Sequence, residues 1–143
     1  MIWNKKTKNG KSSDSIVKNG KIIMQKTLSE CYDRINAMST VKINIVAVGN
    51  DGFGSHMQIW CRNFKHPEEI SSWAEKAVTK LKTLSTVNID VSGDDLDGDY
   101  VSHTFKFDKD IGKIFLDYAI PEAIDSSSDF YNSMNGILMI ESK

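Results

Sequence analysis

The densest group of chemically capable residues in the chain is Asp95-Leu96-Asp97-Gly98-Asp99, and calcium, a hard cation, wants several carboxylate oxygens close together. The spacing fails the EF-hand test. With Asp95, Asp97 and Asp99 as the first three ligands, Tyr100 stands where the turn glycine belongs and Lys106 where the bidentate glutamate belongs. Gly49-Asn50-Asp51-Gly52-Phe53-Gly54 has the look of a phosphate loop, but phosphate-binding loops deliver the anion to a helix N-terminus, and here an alternating strand pattern follows. A hairpin loop is the expected reading. Cys31, Cys61, His56, His66 and His103 contain no pair of pairs at zinc-finger spacing. Cys61 lies five residues from His56 and on the opposite face of the same expected strand, so the two form no nucleophilic dyad without a bulge. His66 before Pro67 reads as a residue leading into a helix. No nucleophile, base and orienter come together with supporting spacing, and no catalytic residue, metal site or cofactor is expected.

Composition sets the frame for these residues. The chain has 143 residues, 40% hydrophobic and 26% charged, which is one domain's worth of chain able to bury a core without staples. No apolar run approaches the roughly 20 residues needed to span a bilayer, and the start shows no signal-peptide pattern, so a cytoplasmic location is expected. Two cysteines allow one disulfide at most, and both read as reduced core residues. The net charge of −1 conceals a division: residues 1–26 carry seven lysines against Asp14 alone, whereas residues 88–129 carry eleven acids against Lys106, Lys109 and Lys113. The lysines at the start lack interleaved aromatics beyond Trp3, and the acidic domain behind them repels phosphate, so nucleic acid is not an expected partner.

The elements that must position these residues are read from periodicity. Residues 1–14 are expected to be a flexible lysine-rich segment, and residues 15–143 a single domain. Asn19-Gly20 between Ile16-Val17 and Ile22-Ile23-Met24 is the pattern of a two-residue hairpin. Thr27-Leu28-Ser29-Glu30 has capping-box form, and Leu28, Cys31, Tyr32, Ile35 and Met38 continue as a helix over about 28–38. Residues 41–48 read as a strand entering the core, and residues 55–64 as its hairpin mate, with Met57, Ile59 and Cys61 on one face and His56, Gln58, Trp60, Arg62 and Phe64 on the other. Pro67, Glu68 and Glu69 open a second helix, along which Ile70, Trp73, Ala74, Ala77, Leu81 and Leu84 form a stripe. Strands over 87–91, 101–107 and 114–120 make a meander, with a tight turn at Asp108–Gly112 and an end at Pro121. A short helix within 122–135 and a buried strand at 136–140 close the chain. The expected fold is α+β, an antiparallel sheet (hairpin plus C-terminal meander) packed against a single layer of two helices.

The acidic residues Asp94, Asp95, Asp97 and Asp99, beside the aromatic Tyr100, combine charge for steering with an anchor, and Asp117 belongs to the same acidic segment; together they are the expected partner-binding residues. In size, charge and style the chain resembles the immunity proteins of bacterial toxin systems, including contact-dependent inhibition. That resemblance implies a cognate toxin domain as partner, basic and of the nuclease kind, neutralised by stoichiometric occlusion without a cofactor. The rival expectation is a small enzyme or ligand-binding domain with a pocket near His103, and a third is an adaptor that oligomerises through an edge strand. The oligomeric state is not legible.

Overall fold

The computed structural model describes the backbone of residues 2–141 and the side chains of residues 15–139. Eight elements follow one another: α1 (Ile2–Asn36), β1 (Lys42–Asn50), β2 (His56–Arg62), α2 (Pro67–Lys80), β3 (Thr83–Asp94), β4 (Tyr100–Phe107), α3 (Lys109–Glu122) and α4 (Asp129–Glu141). The four strands form one antiparallel sheet in the order β2-β1-β3-β4. The α+β class and the antiparallel sheet are as expected. The expected separate segment over 1–14 rests on residues whose side chains lie outside the described part.

Three expected strand regions are helical instead. The hairpin at Asn19-Gly20 is the middle of α1, where a Cβ on Gly20 would meet Ile114 Cδ1 at 2.2 Å, so the glycine serves close helix packing rather than a turn. The capping box at Thr27 is absent for the same reason: the Thr27 hydroxyl donates to the Ile23 carbonyl one turn back, inside a continuous helix. The strand expected over 114–120 is α3. Asp108 caps it by accepting from the Ile111 amide at 2.9 Å, so the residues read as a tight turn start a helix. Pro121 lies in the last turn of α3 instead of ending a strand. The strand expected at 136–140 lies within α4, and the helix layer therefore contains four helices rather than two.

Alternation explains the sheet. Ile43, Ile45 and Ala47 of β1, Ile59 and Cys61 of β2, and Val87, Ile89 and Val91 of β3 are buried in one core with the helices. Their neighbours of opposite parity point to the other face, where Lys42, Gln58, Arg62, Ser102, Thr104 and Lys106 are exposed and Val46 alone is buried, between its register partners Trp60 and Asn88. Trp73 of α2, 5% exposed, donates its indole N–H to the Ile59 carbonyl at 2.7 Å and sits edge-on to Phe115, which contacts Phe107 and Phe130. This aromatic group joins α2, α3, α4 and the sheet. The stripe read on α2 is buried through Leu81, but the helix ends at Lys80, so Leu81 is in extended conformation and Leu84 belongs to β3.

Candidate partner-binding surface

The acidic stretch is the β3–β4 hairpin, and its geometry is held from two sides. Within the turn, the Asp95 carboxylate accepts from the amides of Asp97 and Asp99, each at 2.9 Å, while the Asp95 amide donates to the Asp99 carbonyl and the Gly98 amide to the Asp95 carbonyl. Gly98 takes a φ of +87°, which the turn requires and which glycine adopts without strain. From outside, the Asp94 carbonyl accepts from the Ser39 amide at 2.9 Å, the Ser39 hydroxyl reaches the carbonyls of Asp94 and Asp95, and the Asp94 amide donates to the Thr40 hydroxyl. Met38 bridges to Asp95. Gly93 has no room for a side chain, because a Cβ would lie 2.1 Å from the Thr40 carbonyl oxygen. The hairpin is thus tied to the connection between α1 and β1.

These bonds divide the expected site residues. Asp95 spends its carboxylate on the turn. Asp97 and Asp99 are exposed, and the apolar Leu96 and aromatic Tyr100 beside them are 75% and 71% exposed. Asp94 is half-buried and pairs directly with Tyr100, which places both on the open face of the sheet. Asp117 is not brought to this group. It lies on α3 in a cleft of about 440 Å³ with Val78, Lys82, Lys109 and Lys113, at the Thr83 end of β3 and not the Asp94 end. The strand has twelve residues, so its ends lie about 36 Å apart at roughly 3.3 Å per residue.

The other candidates fall where packing puts them. His103 is half-buried on the helix side of β4 opposite Val91, and it lines neither the cleft at Asp117 nor the one at Phe64 and Leu138. The more voluminous of those clefts, about 650 Å³, lies between the β2–α2 connection and α4, lined by Phe64, Lys65, His66 and Leu138 among others. Of the Gly49–Gly54 stretch, Gly49 and Asn50 end β1, and residues 51–55 join it to β2 as a hairpin loop, with the Asp51 carboxylate accepting from the Phe53 and Ser55 amides. Those bonds hold the Asp51 carboxyl below its usual range. Cys31 and Cys61 are free and buried; burial pushes each thiol up to about 12, with the Glu69 charge adding to the effect at Cys61. Among the described residues no three histidine, cysteine or acidic side chains are placed to hold a metal ion, and no helix is long and apolar enough to cross a membrane.

No family model, curated protein or solved structure matches this chain. The geometry of the surface therefore stands alone. Sequence reading missed two of its features. Leu96 at the tip gave no signal, since one leucine among aspartates reads as incidental. The second is the open sheet face, where the Arg62 guanidinium lies 3.9 Å over the Trp60 ring on β2, the edge strand opposite β4. Its signal was available in the alternation of residues 56–62; what alternation lacks is which face the helices cover.

Proposed function

We propose that this protein is a non-catalytic binding protein that engages a basic protein partner through the Asp94–Tyr100 hairpin. In the form its resemblance implies, it is a cytoplasmic immunity protein that neutralises a cognate toxin domain by stoichiometric occlusion. The observation that carries the reading is the pre-ordered turn. Asp95 and the Ser39–Thr40 connection fix the backbone, so Asp97 and Asp99 present charge, and Leu96 and Tyr100 present apolar area, without an ordering cost on binding. Charge of one sign around an aromatic anchor is the pattern of a steered, protein-directed surface.

Co-purification of the tagged protein from its own host tests this directly. The expected companion is a basic domain in one-to-one ratio, lost on combined Asp97→Asn, Asp99→Asn and Tyr100→Ala substitution. A protein that emerges alone carrying a small molecule would sink the reading and turn attention to the clefts.

A further inference from the structure

The cleft that holds Asp117 combines apolar walls with cations. Leu81 and Leu116 line it from buried positions and Leu84 from a half-buried one, while Val78 beside them keeps 48% exposure. Lys82, Lys109 and Lys113 line the same cleft and are exposed; against them stand two acids, Asp110 and Asp117, which leaves one positive charge in excess. Among the described residues no ion pair holds any of the three lysines. Two of them sit where helix electrostatics disfavour a cation. Lys109 and Lys113 are one turn apart, where like charges repel, and both lie in the opening turns of α3, at the positive end of its dipole. Asp108 and Asp110 offset part of that cost, and Lys113 precedes Asp117 in the order that pairs less well along a helix. Lys82 is placed by the β1–β2 loop. Its amide donates to the Asn50 carbonyl at 2.9 Å, and its stem passes Gly52, where a Cβ would lie 2.9 Å from Lys82 Cγ.

We propose that this cleft binds a small amphipathic anion, an apolar body bearing one carboxylate or phosphate, with the body against Val78, Leu81, Leu84 and Leu116 and the charged head among Lys82, Lys109 and Lys113. The volume of about 440 Å³ falls within the roughly 300–1,000 Å³ of small-molecule sites, which set a few charged groups around an apolar lining. Lysine is a compact point charge without the planar fork of arginine, so three lysines select the head by charge rather than by shape. A bound anion also relieves the repulsion between Lys109 and Lys113, whereas Asp110 and Asp117 oppose it and limit its affinity. The cleft lies at the opposite end of β3 from the acidic hairpin, so this inference and the protein partner proposed above stand or fall separately.

Titration of octanoate into the full chain, followed through backbone amide chemical shifts, tests the site. One saturable site is expected, with shifts concentrated in residues 77–84 and 109–117 and absent from residues 94–100. Octan-1-ol, which has the same chain and no charge, binds several-fold more weakly, and each methylene removed from the acid costs roughly fourfold. Octyl phosphate binding tighter than octanoate assigns the head as a phosphate, and the reverse order assigns a carboxylate. Lys82→Gln with Lys113→Gln weakens octanoate by roughly tenfold, and Asp110→Asn with Asp117→Asn strengthens it several-fold. Lys109→Gln separates binding from stability: it weakens octanoate yet leaves the urea midpoint unchanged or higher, whereas a lysine kept for the fold would lower it. Shifts that never saturate, that spread to the hairpin as strongly as to the cleft, or that ignore the lysine and aspartate substitutions overturn the proposal. So does octan-1-ol binding as tightly as octanoate.

Discussion

Asp95 and Asp97 stand two positions apart, yet one holds the turn and the other faces solvent. The difference lies in which backbone amides each carboxylate can reach, and the same rule governs Glu69. Its carboxylate accepts from the amides of Lys65 and then His66 at the start of α2, and those bonds lower its pKa from 4.5. A depressed carboxyl contributes stability that is present above its unfolded value near 4.5 and is lost as pH falls through the lower folded value. Glu69→Gln is therefore expected to flatten the acid limb of stability against pH below that value. At neutral pH it costs about 0.5–1 kcal/mol, the low end for a solvent-screened cap, as read from denaturant midpoints. The cysteines act at the other limit. Their folded pKa values, raised to about 12 from 9.0, give stability that is complete below pH 9 and declines as pH rises toward 12. Replacing both by alanine should remove that part of the alkaline decline, which thermal melts between pH 8 and 11 measure.

At the scale of elements, α2 and β1 were legible because each carries one unambiguous period, and Pro67 with Glu68 and Glu69 marks where the helix opens. α3 was not. Ile114 to Ile120 places large residues at every second position, but Gly112, Phe115, Leu116, Ala119 and Ala123 also lie on one helical stripe, and all five are buried. Seven residues satisfy both periods, and the Asp108 cap decides between them. Asn19-Gly20 failed for a related reason: the pair favours a turn locally, and packing against Ile114 outweighs it. For α2 the decisive contact is Trp73. Trp73→Ala is expected to cost about 3–5 kcal/mol, seen as a lower midpoint in urea, because the ring leaves a cavity against Phe115 and the Ile59 carbonyl loses its donor. A change under about 1 kcal/mol would contradict a core role for the ring.

For the whole molecule the balance of charge is nearly neutral, and its effects come from separation. The acidic hairpin occupies one end of the sheet, while Asp117 sits at the other among Lys82, Lys109 and Lys113. Steering by the proposed surface therefore belongs to the hairpin alone. Asp97→Asn with Asp99→Asn should slow association with the co-purified basic partner by roughly tenfold at low salt, with little difference near 0.5 M, while Asp117→Asn leaves the rate unchanged. Stopped-flow rates across a salt series check both. The sequence by itself determined the α+β class, the central antiparallel strands, α2 and the identity of the acidic hairpin, because local period and charge are properties of consecutive residues. Only the tertiary structure decided that α1 is continuous, that α3 is a helix, that the helix expected within 122–135 runs on as α4 through the residues read as a closing strand, that Asp117 lies apart and that β4 is an edge. The continuity of α1 rests on a contact between residues distant in the chain, Gly20 with Ile114, whose packing overrides the local turn preference, while α3 is decided where two periods overlap and the Asp108 cap selects one of them.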